Sequence, residues 1–158
     1  MKFAPLALAT VVAAAGMGLA GNAMADRNET VDRSTLMSAL EQATNSGMSS
    51  FKEFEIDRED GQLEMDIEGW SNDGWELDLV LDVESGTVLS ESRSSTIAQP
   101  WGLDTQQIGT LLDQADNDGI THISEFDMSR SGNIELVGYG SSTQELERNY
   151  SHESIVGQ

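Results

Sequence analysis

The sequence predicts an α+β fold: two copies of one unit, each a helix packed on a small antiparallel sheet, with the second copy degenerate and truncated. Three observations lead there. Sliding the chain by 72 positions lays residues 31–54 on 103–126 without a gap. Identities fall at Asp32/Asp104, Leu40/Leu112, Gln42/Gln114, Ala43/Ala115, Asn45/Asn117, Gly47/Gly119, Glu53/Glu125 and Phe54/Phe126, which marks an internal repeat. At each repeated glycine the spacing of apolar residues switches from the helical period to the strand period. The strand-like segments then alternate apolar residues with acids, the pattern of a sheet covered on one face.

The chain opens on Met1, Lys2 and Phe3, an apolar run from Ala4 to Ala20, and Ala23-Met24-Ala25 before Asp26. A positive charge, a short apolar stretch and small residues before a cleavage point predict a secretory signal peptide over 1–25, cut after Ala25. The expected location is the periplasm or the medium of a bacterium. Nothing beyond Asp26 is long and apolar enough to span a bilayer. With no cysteine, neither a lipidated cysteine nor a disulfide is available, and packing alone must hold the fold.

The first unit is expected over 26–93. Asp32 is placed to cap a helix, with Val31 before it and Leu36 after it forming a hydrophobic staple. Leu36, Ala39, Leu40 and Ala43 mark the buried stripe, and Asn45-Ser46-Gly47 the stop. Phe54 and Ile56, then Leu63, Met65 and Ile67, then Trp75, Leu77, Leu79 and Leu81 predict three strands. Turns are expected at Glu59-Asp60-Gly61 and Ser71-Asn72-Asp73-Gly74, and a fourth strand over Thr87–Ser92.

Residues 94–102, with Pro100 and Gly102, form the predicted linker, in which Trp101 is expected to seal the two units together. The second unit, 103–158, repeats the cap at Asp104 with Gln107 completing a capping box. Ile108, Leu111, Leu112 and Ala115 line its helix, which stops at Asn117-Asp118-Gly119. Phe126, Met128, Ile134 and Leu136 predict two strands, and Gly138-Tyr139 matches Gly69-Trp70 after a three-residue deletion. The pattern decays after Leu146, so the last strand is expected to be short or absent, leaving an edge open to strand addition. At about 60 residues each, the units are too small to be secure alone and should pack together.

The net charge is −20, from 28 acidic and 8 basic residues, and beyond the leader the only lysine is Lys52. Nucleic acid and anionic membrane are therefore poor partners, because both require positive charge. The acids suit general solvation in a salt-rich setting, or a face that steers a basic partner.

Gln114 to Glu125 approximates a calcium loop, with Asp116, Asp118 and Glu125 as weak ligand candidates. Gln114 in first place, Thr121 in eighth and a strand afterwards all depart from the pattern, so no metal and no cofactor is assigned. His122 and His152 have no ligand spacing, and no serine sits in a nucleophile elbow. No catalytic residue is assigned and an enzyme is not expected. Trp70 and Tyr139, at equivalent positions, and Trp75 make the candidate interaction surface, as cross-strand packing or as aromatic anchors.

Leu79 to Leu89 reads L-V-L-D-V-E-S-G-T-V-L, and this hairpin resembles the PepSY domain family, with Asp82, Gly86, Thr87, Val88 and Leu89 matching. The resemblance covers 31–93, and 103–150 through the repeat. It implies a helix on a small antiparallel sheet in each unit, and a role modulating peptidases or binding proteins rather than catalysis. The tandem arrangement is also similar at fold level to β-lactamase inhibitory protein. The function it implies is an exported, non-enzymatic binding module that inhibits or modulates a peptidase or other extracytoplasmic enzyme. The alternative is an acidic, cation-responsive or salt-adapted envelope protein with weak calcium binding.

Overall fold

The computed structural model describes residues 27–157; the expected signal peptide and its cleavage after Ala25 lie outside them. Asp32 accepts the backbone N–H of Thr35 at 2.8 Å and caps helix α1, Arg33–Asn45. Asp104 does the same for α2, Thr105–Asn117, with the N–H of Gln107, and the Gln107 side chain returns the bond to the Asp104 N–H. Both helices stop two residues before a left-handed glycine, Gly47 at φ 103° and Gly119 at φ 91°, which frees the chain to turn into a strand. Leu36, Ala39, Leu40 and Ala43 of α1, and Ile108, Leu111, Leu112 and Ala115 of α2, are buried.

The strands are β1 (Val31–Asp32), β2 (Met48–Glu59), β3 (Gln62–Ser71), β4 (Trp75–Asp82), β5 (Val88–Ser95), β6 (His122–Met128), β7 (Asn133–Tyr139) and β8 (Glu145–Ser151). The first hairpin turns on Asp60 and Gly61, both at positive φ, the conformation a two-residue type I′ turn demands. Every strand pair is antiparallel, and all the strands belong to one sheet, ordered β5-β4-β3-β2-β6-β7-β8, with the short β1 beside β6.

This corrects the expected fold. There are not two helix-on-sheet units but one large, mostly antiparallel sheet, because β2 pairs directly with β6. The duplication survives as a pseudo-two-fold axis at that junction. The equivalent residues Phe54 and Phe126 face each other, flanked by Glu53 opposite Asp127 and Glu55 opposite Glu125. Val31 pairs with Ile123, and their counterparts Leu103 and Phe51 also pair, exchanging two backbone hydrogen bonds of 2.8 and 2.9 Å. Each half thus lends the segment before its helix to the strand after the other's helix. Among the described residues a single cluster of buried side chains, from Leu36 and Leu40 through Phe54 and Phe126 to Leu136, lies between the helices and the sheet.

The halves diverge at their far ends. In the first, Asp82 takes the Ser85 N–H on its carboxylate and the Gly86 N–H on its carbonyl, and the chain turns back into β5. In the second, β8 pairs with β7 along its whole length. Ser151, beyond the point where the sequence pattern decays, caps α3 (His152–Val156). Ile155 of α3 joins the core. Among the described residues no helix is long and apolar enough to cross a membrane.

Candidate functional site

Helices cover one face of the sheet, and alternation sends the other set of side chains to the opposite face. Phe54 and Ile56 are buried, so Glu53, Glu55 and Asp57 of β2 face away from the core. The same holds for Asp66 and Glu68 of β3, Asp78 of β4, Glu125 and Asp127 of β6, and Glu135 of β7. Register then aligns them. Asp78, Glu68, Glu53, Asp127 and Glu135 stand directly opposite one another across five successive strands. One step along, Asp66, Glu55 and Glu125 form a second row. Acids that are spread through the sequence become a continuous anionic field on the helix-free face.

Like charges directly opposite in a sheet are destabilising, and the titration behaviour follows. Burial first, then neighbouring carboxylates, push Glu53, Glu55, Asp66, Glu125 and Glu135 above the ordinary carboxylate range. Asp127 is raised by burial and by Glu68, against a lowering by Lys52. Lys52 lies within 2.6 Å of both Glu68 and Glu76, with its side chain 14% exposed. Burial draws its pKa down, but hydrogen bonds and charge from the two glutamates outweigh that and hold it above the lysine value.

One margin of this face is aromatic. Trp101 of the linker lies on Trp70, ring centroids 5.1 Å apart, and donates its indole N–H to the Met128 carbonyl at 3.1 Å. The Lys52 ammonium lies 5.6 Å, and the Arg130 guanidinium 4.5 Å, from the centre of the Trp101 ring. Trp101 therefore bridges β3 and the end of β6, on opposite sides of the β2–β6 junction. Beside it a cleft of about 520 Å³ is lined by Trp101, Arg130, Asn133 and His152, among others.

Two glycines let the aromatics sit down on the sheet. A Cβ on Gly69 would lie 2.1 Å from the Ser50 carbonyl oxygen, and one on Gly138 would lie 2.1 Å from that of His122. Each glycine precedes an aromatic, Trp70 or Tyr139, and faces a strand whose register shifts nearby, the close backbone approach that excludes any side chain. Trp70 is 1% and Tyr139 3% exposed, so neither ring is presented to solvent. Trp75, 38% exposed, is the one residue of that expected surface that is open. Asp116 and Asp118 stand at the end of α2, where Asp118 accepts the Tyr150 hydroxyl at 3.0 Å. Glu125 is on the sheet's open face, so the three are not brought together. Among the described residues no group of three or more His, Asp or Glu side chains is arranged to hold a metal ion. Sequence reasoning gave Lys52 no role and did not find the carboxylate rows; the strand period carried the signal for the rows, but only the register aligns them.

No family model, curated protein or solved structure gives a significant match to the chain.

Proposed function

We propose that this chain is a non-catalytic, exported binding module that receives a cationic segment of a protein partner on the open face of its sheet. The single observation that carries this is the row from Asp78 to Glu135, five aligned carboxylates with one lysine beside them. Such a row costs stability in the free protein and is relieved by a ligand that brings positive charge. A partner with lysines or arginines along an extended segment can lay them over this row, whose strands run side by side about 4.8 Å apart. The PepSY resemblance of Leu79–Leu89 adds the class of partner, an exported peptidase or other extracytoplasmic enzyme.

The alternative, an acidic cation-responsive or salt-adapted envelope protein, draws on the same carboxylates but needs no partner. Calorimetric titration of the purified protein with a lysine-rich polypeptide and with calcium chloride separates the two. Saturable binding of the polypeptide, weakened by Glu53→Lys and Asp127→Lys and by added salt, is the expected result. Saturable heat with calcium and none with the polypeptide would transfer the assignment to the alternative.

A further inference from the structure

The margin of the sheet at β5 has a composition unlike the rest of the chain. From Ser85 to Gly102 the only charged residues are Glu91 and Arg93, in a protein with 28 acids. The strand is an edge, paired with β4 alone, and exposed along its whole length. It carries no proline and no lysine, two of the devices that block edge pairing. Its one irregularity, between the pairs at Val80 and Leu81, sits at the Val88 end and leaves Ser90–Ser95 regular. The other edge, β8, carries Glu145 and Glu147 and runs straight into α3.

Exposed apolar side chains collect at the same margin. Of the large hydrophobics exposed among the described residues, Val88, Leu89 and Ile97 lie on or just after β5. Trp75, also exposed, is paired with Ser95 at the end of β5.

We propose that the β5 edge is the seat of a second copy of this chain, paired antiparallel about Ser92 so that one sheet runs through both molecules. The charge pattern selects this occupant and this register. Glu91 and Arg93 flank Ser92 symmetrically, and both point to the helix side of the sheet, opposite the buried Leu79 and Leu77. A two-fold axis at Ser92 places Glu91 of each copy opposite Arg93 of the other, twice. Among the described residues neither side chain has an ion-pair partner within its own chain. The same axis sets Val88 opposite Thr96 of the second copy, next to Ile97. Self-association through the open face would set acid against acid; this neutral margin avoids that.

The inference is independent of the proposed function, since the open acidic face is not used. Sedimentation equilibrium of the purified protein at moderate salt tests it. The unaltered chain is expected to be dimeric, and Glu91→Arg or Arg93→Glu alone to weaken association by about tenfold, through two like-charge pairs in place of two opposite ones. The double variant Glu91→Arg/Arg93→Glu restores the opposition and is expected to restore the dimer. Circular dichroism of each variant shows that these exposed changes leave the fold intact. A monomer for the unaltered chain would overturn the proposal, as would a dimer indifferent to the single changes or one not recovered by the double change.

Discussion

Phe54 and Phe126 lie directly opposite each other where β2 meets β6, their rings stacked with centroids 5.0 Å apart and an interplanar angle of 24°. They are the same residue of the repeat, and both are fully buried. The contact between them is the point at which two copies of a segment became one sheet, and it sits beneath both helices in the single core.

Truncating either ring should therefore loosen both halves together. Phe126→Ala is expected to cost about 3–5 kcal/mol by urea denaturation, with one cooperative transition retained. A double-mutant cycle with Phe54→Ala should show coupling of about 0.5–1.5 kcal/mol, the usual excess for a stacked pair. Additive losses would mean that the rings do not act on one another.

The open face should make the fold more stable in mild acid than at neutrality. Glu53, Glu55, Asp66, Glu125, Asp127 and Glu135 are all held above their ordinary values. The folded state thus binds their protons more tightly than the unfolded state, and stability declines as pH rises through the raised values. Asp32 is lowered by the Thr35 N–H and other local hydrogen bonds, and Asp82 by hydrogen bonds from Ser85 and Gln62. Their contribution is present above the ordinary carboxylate value and is lost as pH falls through the lowered ones. Tm is expected to rise from pH 7 to about pH 5 and to fall below about pH 3. A Tm that climbs from pH 5 to 7 in thermal melts would contradict the charge rows.

Lys52 is the cation that holds Glu68 and Glu76 together. Replacing it with Met keeps the stem and removes the charge, leaving two glutamates as uncompensated diagonal neighbours across β3 and β4. The expected loss is about 1–2 kcal/mol at neutral pH, shrinking near pH 4 as the carboxylates protonate. Denaturant titrations at the two pH values measure both the loss and its disappearance.

Gly69 and Gly138 should tolerate no side chain. With the Ser50 or His122 carbonyl oxygen where a Cβ would be, Gly69→Ala or Gly138→Ala forces backbone apart. Each is expected to cost about 3 kcal/mol or more, at the upper end of overpacking. By contrast Gly61→Ala, in an open turn at φ 88°, should cost only about 1 kcal/mol, through conformational strain. Equal losses at the three sites would remove the close approach as the cause.

Much of the local structure was legible. Asp32 and Asp104, their staples and the glycines after each helix place α1 and α2 within a residue of where they lie. Alternation at Leu63–Ile67 and Trp75–Leu81 places β3 and β4, and Glu59-Asp60-Gly61 places the turn before them. Which strand joins which was not legible. Alternation tells Phe54 and Phe126 that they face a core, but it is silent on the neighbour each finds along the hydrogen-bonding direction. Two small sheets and one large sheet therefore carry the same pattern. The carboxylate field was hidden for the same reason, since Glu53 and Asp127 are far apart in sequence and meet only once β2 and β6 pair. The decay of the pattern after Leu146 did not say what replaces it: where the first half turns into a strand on Asp82, the second caps a helix on Ser151.

Chemical-shift mapping of the isotopically labelled protein during titration with a lysine-rich polypeptide tests the central claim most directly, because it reports where a cationic ligand sits. The expected shifts fall on Glu53, Glu55, Glu68, Glu125 and Asp127, in adjacent strands from both halves of the chain. Shifts confined to α1 and α2, or to one half of the sheet, would contradict a single acidic face spanning the β2–β6 junction.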